Sequence, residues 1–262
     1  MIYKRIIRPF VAVAILVVTL IACNNDDSGS GESGTNQNLE NRQPLGASAN
    51  ELLSSDEFRS IRVEIAYAEG LRPDQRTIDS IQTFLEARLD KPDGVTIVEN
   101  LIPNPSQLPP YDINEIVEIE DEFRTVFNNG DEIGVWLFFS DEESASNVGN
   151  SVVLGSAYRN TSMVVYESTF IEFINSSTLP INRFLLETTT LRHEFGHILG
   201  LVNSGTPLTS PHEDEQNERH CNVLGCLMFF QTVTDVFTNP DFTAVPAFDP
   251  LCIADLQANG GL

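Results

Sequence analysis

The pentapeptide His193-Glu194-Phe195-Gly196-His197 limits what this chain can be more than any other feature. Histidines four residues apart share a face when the backbone between them is helical, with one turn separating the rings. The surrounding stretch, from about Ile181 to Leu201, predicts such a helix. Phe184, Leu191, Ile198 and Leu199 give it apolar surface to pack, and Pro180 stands near its first position. Two imidazoles so placed can hold one metal ion, and a catalytic zinc takes three protein ligands plus water. Glu194, beside the first histidine, reaches that water and not the metal, as a general base in metal-assisted hydrolysis must. The third ligand comes from elsewhere. The only other histidines are His212 and His220, and Glu213 and Glu215 are carboxylate alternatives.

Upstream, Ile61, Val63 and Ile65 alternate with Arg62, Glu64 and Ala66 and predict a half-buried strand. Pro73 opens a helix to about Leu89, with Ile78, Ile81, Leu85 and Leu89 on one side. Val95 to Val98 reads as a short strand and Pro103 to Pro110 as a loop. Ile113, Ile116, Val117, Glu120, Phe123 and Phe127 outline a second amphipathic helix with an acidic outer face. Ile133 to Phe139, apolar almost throughout, predicts a buried strand. Val152 to Tyr158 and Ser162 to Tyr166, flanking Arg159-Asn160-Thr161, predict a hairpin. After Leu201 the chain is loop-rich, apart from short helices around Gln231 to Val236 and near the C-terminus. The expected class is α/β (α+β): a mixed twisted sheet, an active-site helix and a loop-rich C-terminal subdomain.

Charge bears on partners. Thirty-eight acidic residues against 15 basic leave a net charge of −23, and no basic cluster follows Arg8. Neither nucleic acid nor electrostatic docking on an anionic membrane suits such a surface. Lys4, Arg5 and Arg8 precede an apolar run, Phe10 to Ala22, which is short for a bilayer span and suited to a signal-peptide core. The run ends at Leu20-Ile21-Ala22-Cys23 and resembles a bacterial lipoprotein signal. That resemblance implies removal of residues 1–22, lipid on Cys23, and a lipid-anchored place in the cell envelope, at the outer membrane or cell surface, facing periplasm or exterior. The polar stretch that follows makes 23–53 an expected flexible tether. Residues 54–262 are then expected to form one domain acting as a monomer.

The helix motif extends to Gly200, and His-Glu-x-x-His-x-x-Gly resembles the start of the metzincin metallopeptidase signature. Downstream, His220-Cys221, four residues, Cys226 and then Met228 are similar to the archaemetzincin signature. The resemblance implies His193, His197 and His220 as zinc ligands, Glu194 as general base and Met228 as a turn beneath the metal. In the family the third histidine follows the second by six residues, where this chain has Asn203. Ser204 to Arg219 is therefore an insertion, and His212 within it is the rival third ligand. Archaemetzincins also bind a second, structural zinc through Cys-x4-Cys and a later Cys-x-x-Cys. Here Cys221, Cys226 and Cys252 are present and the fourth position falls on Asp255. Two readings stay open: a second zinc on these four residues, or a Cys221–Cys226 disulfide favoured by an export compartment, with Cys252 free.

By analogy of fold, Val152 to Tyr158 or Ser162 to Tyr166 is the expected edge strand for pairing with an extended peptide. The expected activity is zinc-dependent hydrolysis of peptide or protein substrates, as a metalloendopeptidase or an aminopeptidase-like enzyme. The alternative is a zinc-containing surface lipoprotein that binds a ligand or partner and hydrolyses little. Glu213, Asp214, Glu215 and Glu218, all in the insertion, favour cations or basic peptides near the metal.

Overall fold

Residues 39–105, 109–149, 152–176, 181–233 and 243–262 are described by a computed structural model, all within the unit Ser33–Leu262. Ser60–Tyr67 (β1), Gly94–Leu101 (β2), Glu132–Phe139 (β3), Gly155–Arg159 (β4) and Ser162–Val165 (β5) form one sheet in the order β2-β1-β3-β5-β4. β1 runs parallel to both β2 and β3, and β3 runs parallel to β5. Only β4 is antiparallel, hairpinned to β5 at the sheet edge. Six helices are described: Ala49–Leu53 (α1), Gln75–Glu86 (α2), Ile113–Phe123 (α3), Glu167–Ser176 (α4), Arg183–Ile198 (α5) and Pro250–Ala258 (α6). The mixed α/β class is therefore as expected.

Helices cover both faces of the parallel strands, so the sheet interior alternates between two cores. Ile133, Val135, Leu137 and Phe139 of β3 join Ile61, Val63 and Ile65 of β1 against α2, α5 and α6. Trp136 and Phe138 point the other way, to Ile116 and Ile119 of α3. β1 is thus buried on both faces rather than half-buried. Glu64, on its second face, is wholly buried and accepts hydrogen bonds from Thr125 N and Oγ1, Val126 N and Asn100 Nδ2. A carboxylate so bonded is a satisfied interior group.

Local caps set the helix bounds. Asp74 caps α2 by accepting from Arg76 N, so that helix starts after Pro73 and not on it. A capping box between Asp112 and Glu115 starts α3. The helix ends at Phe123, short of Phe127, because Arg124 turns into the interior. There its guanidinium bonds Glu120 Oε1 at 2.6 Å and Gly134 O at 3.0 Å. α4 has no counterpart among the expected elements, although Phe170, Ile171, Phe173 and Ile174 carry helical spacing.

The expected tether ends too late. From residue 39 the chain is packed: Asn41 is fully buried, and Leu52 and Leu53 sit in the core. Asn41 donates to Asn128 Oδ1, Gly134 O and Thr161 Oγ1, and Gln43 exchanges hydrogen bonds with Asn160. Polar side chains hold this segment, which is why hydrophobic pattern alone missed it. Residues 1–22, Cys23, the stretch 24–38, Pro180 and residues 234–236 of the expected helix at 231–236 lie outside the described residues. Among the described residues no helix is long and apolar enough to cross a membrane.

Candidate metal centre

α5 carries the motif. Asn182 caps it by accepting from Leu185 N, and His193, Glu194 and His197 are all buried near its C-terminal end. The helix ends at Ile198 and the chain turns at Gly200, whose φ of 76° is one that glycine adopts without strain; an added Cβ would lie 2.5 Å from Thr206 N. Val202 and Asn203 are left-handed as well, so the chain reverses within four residues. Asn203 then donates to Glu213 Oε2 at 3.1 Å, tying the start of the insertion to its far side.

The insertion returns on itself. Asp214 N donates to His220 O at 2.7 Å and Asn222 N to His212 O at 2.8 Å, so 212–214 runs antiparallel beside 220–222. This brings His220 over α5. The ring centroids of His193, His197 and His220 are 4.9, 5.2 and 5.2 Å apart. His193 Nε2 and His220 Nε2 approach to 3.3 Å. Zinc–nitrogen bonds of 2.0–2.1 Å in a tetrahedron call for a nitrogen–nitrogen edge of about 3.3 Å, so these donors fit a zinc ion. His193 Nδ1 donates to Leu227 O at 2.7 Å and His220 Nδ1 to Glu218 O at 3.0 Å. A carbonyl only accepts, so each Nδ1 carries the proton and leaves the Nε2 lone pair for a metal. His197 Nδ1 has no hydrogen-bond partner among the described residues.

Burial keeps all three rings neutral. It lowers His193 to about 4 and, with repulsion from any proton on His193 or His220 and from Arg219, holds His197 well below the usual histidine range. His220 is lowered chiefly by burial. Metal ligation needs these neutral rings. His212 takes no part: its Nδ1 donates to Ser210 O at 2.9 Å, and its Nε2 lies 3.3 Å from Asp255 Oδ2.

Glu194 shares a cleft of about 260 Å³ with the three histidines, Leu45, Ala157 and Arg219. Ala157 N donates to Glu194 Oε2 at 2.8 Å, so the edge strand β4 orients the carboxylate. Burial raises Glu194 to about 8, and the Ala157 N–H opposes that rise. A dication nearby favours the ionised form again. Met228 lies against α5 at Gly196, which stands between His193 and His197 in the chain. A Cβ on Gly196 would stand 2.3 Å from Met228 Sδ, so the helix can approach this closely only with glycine there.

A second cluster lies in the same subdomain. Cys221, Cys226, Cys252 and Asp249 are buried and bring their ligand atoms within 4.8 Å of one another. Two sequence expectations are corrected here. Cys221 and Cys226 are free thiols, not a disulfide, and the acid is Asp249, not Asp255. The Sγ atoms of Cys226 and Cys252 are 3.7 Å apart, far from a bonded pair at about 2.05 Å. A tetrahedron with zinc–sulfur bonds of about 2.3 Å has an edge near 3.8 Å, so the donor set suits zinc. Asp249 is the N-cap of α6, accepting from Leu251 N, and there it meets the Cys221 thiol at 3.2 Å. Asp255 lies two turns into that helix, where it accepts from Thr209 N and Oγ1 and faces His212. The Cys221 and Cys252 thiols donate to Cys226 and lower it to about 4, while Cys221 and Cys252 are raised.

The sequence reading missed Asp249, Ala157 and Leu45. Asp249 alone had a local signal: Asp-Pro before an apolar helix is a cap, and it stands three residues ahead of Cys252. No known family's sequence profile matches the chain, and no curated protein does either. Among solved structures the chain is similar to the crystal structure of archaemetzincin from Methanopyrus kandleri. The identity is 17% and the TM-score 0.49, over 77% of this chain and 96% of that one.

Proposed function

We propose that this protein is a zinc-dependent peptidase of metzincin type, with His193, His197 and His220 as ligands and Glu194 as general base. The observation that carries this reading is the 3.3 Å approach of two Nε2 atoms whose Nδ1 partners are carbonyls, one helical residue from a buried carboxylate. Surface histidines have no reason to converge in that way.

Zinc held there supplies Lewis acidity for the hydrolysis. Glu194, steadied by Ala157 N, takes the proton of the attacking water and passes it to the leaving amine. Among the described residues β4 pairs with β5 on one side only, so its outer edge, apart from the Ala157 N–H bonded to Glu194, is the part of the sheet that an extended peptide would pair with through backbone hydrogen bonds. Met228 packs beneath the ligand helix and limits its movement. The cysteine–aspartate cluster is read as a structural zinc site bracing the loops that carry His220 and Met228. Residues 1–22 are read as a lipoprotein signal, with lipid on Cys23 holding the domain at the cell envelope; loss of acyl labelling in Cys23→Ala would support this, and retained labelling would oppose it.

Glu194→Gln tests the mechanism. It should lower peptide hydrolysis by at least about 10²-fold while zinc remains bound. Hydrolysis at the wild-type rate with full zinc would contradict the assignment.

A further inference from the structure

Arg219 differs from every other described basic side chain. Of the chain's 15 basic residues, Lys4, Arg5 and Arg8 lie outside the described residues. Eight arginines are in ion pairs with carboxylates. Lys91 and Arg88 bind backbone carbonyls, and Arg192 binds Ser80. The Arg219 guanidinium alone has no hydrogen bond, ion pair or ring contact among the described residues. That is notable where 38 acidic residues outnumber the bases. It also lines the cleft of Glu194 and the three histidines, and no other basic residue does so among the described residues.

The base of this side chain is fixed. Arg219 has φ 65°, uncommon outside glycine, and its N–H donates to Glu213 Oε1 at 3.0 Å. Glu213 Oε2 is held in turn by Asn203, and the residue after Arg219 is the proposed ligand His220. A free fork therefore stands on a pinned backbone beside the metal centre. None of the four loop acids forms an ion pair with it among the described residues, although Glu218 also lines the cleft and Glu215 and Glu218 line a neighbouring cavity with Arg219. Glu213 bonds a backbone N–H and Asn203, and Asp214 bonds Gln216 N and the Asn217 side chain. These two acids build the loop, which weakens the ground for expecting basic peptides there; Glu215 and Glu218 remain as local negative charge that a bound carboxylate has to tolerate.

We propose that Arg219 is the substrate-recognition residue of this cleft and that it binds a carboxylate of the peptide. A planar guanidinium presents paired N–H donors that match a carboxylate bidentately. The carboxylate is either an acidic side chain near the scissile bond or the peptide's own C-terminus. The protein's net negative charge does not forbid this. Its long-range repulsion is screened beyond about 8 Å at physiological salt, whereas a contact pair in the cleft is not. The proposal rests on the peptidase reading and narrows its substrates.

The test measures binding of one short peptide to the zinc-loaded full chain carrying Glu194→Gln, so that nothing is cleaved. The peptide is made with Glu, Gln or Lys beside the intended scissile bond, and with a free or amidated C-terminus. Binding is compared with Arg219 intact, with Arg219→Asn, which suits the left-handed backbone, and with Arg219→Lys. The carboxylate form should bind about ten- to a hundredfold more tightly than its amide when Arg219 is present. That ratio should fall to about one in Arg219→Asn and be only partly kept in Arg219→Lys, at unchanged zinc content. The two carboxylate arms identify which group is bound. No acid preference with Arg219 present, or a preference that survives Arg219→Asn, would overturn the proposal. If wild-type zinc protein cleaves no peptide while the ratio still depends on Arg219, the peptidase reading falls and the recognition role stands.

Discussion

Replacing Asn41 with alanine is expected to destabilise the protein by about 2–6 kcal/mol, although sequence pattern places this residue in a flexible tether. The structure supplies the terms. Asn41 Nδ2 donates to Asn128 Oδ1 at 2.8 Å, Gly134 O at 3.0 Å and Thr161 Oγ1 at 3.2 Å, and its Oδ1 accepts from Asn128 N at 2.9 Å. After truncation Gly134 O keeps Arg124 Nη2, and Asn128 Oδ1 keeps Gly134 N. Asn128 N loses its acceptor in a buried place. An orphaned buried donor costs about 1–3 kcal/mol, and the two N–H groups of Asn41, shared among three acceptors, lose about 0.5–1.5 each. For a chain of this size that range lowers Tm by roughly 4–24 °C. Urea unfolding should give a lower midpoint at unchanged m. Arg42→Ala is the control, since its half-exposed pair with Asp121 is worth at most about 1 kcal/mol. If Asn41→Ala were no more destabilising than Arg42→Ala, residues 39–53 would not be part of the folded domain.

Two further outcomes follow from buried groups. Burial, and then the neighbouring Glu187, raise Glu167 to about 9, and Glu187 is raised too. The folded state therefore holds protons that unfolded carboxyls have released, so this pair's contribution is greatest below about pH 4.5 and falls as pH rises towards 9. Denaturation midpoints at pH 5, 7 and 9 should decline less in Glu167→Gln than in wild type; parallel declines would contradict this. Asp249→Ala should lower zinc stoichiometry by one ion per chain while Asp255→Ala leaves it intact, measured by elemental analysis, and the reverse pattern would restore Asp255 as the ligand.

How much was legible depended on whether the signal was local. His193, Glu194 and His197 lie within five residues on one helix, so periodicity and donor chemistry suffice to group them. His220 lies 23 residues beyond His197, across an insertion whose path is set by left-handed residues and by the Asn203–Glu213–Arg219 links. Only the family resemblance pointed to it. Asp249 and Asp255 both stand three residues from Cys252, so spacing alone cannot separate them. The position of the cap of α6 does. The strap at 39–48 is polar, and its burial depends on partners as distant as Asn128 and Asn160. The covered second face of β1 was missed because a neighbour, not the strand's own pattern, decides whether a face is wet, whereas α4 did carry a local signal in the helical spacing of Phe170, Ile171, Phe173 and Ile174.

Zinc content of the purified chain, with and without His220, bears most directly on the central claim. Wild type is expected to hold two zinc ions and to cleave peptides. His220→Ala should retain one ion, in the cysteine–aspartate cluster, and lose cleavage, while His212→Ala keeps both ions. Full zinc and undiminished hydrolysis in His220→Ala, with loss of the catalytic ion in His212→Ala instead, would contradict the account.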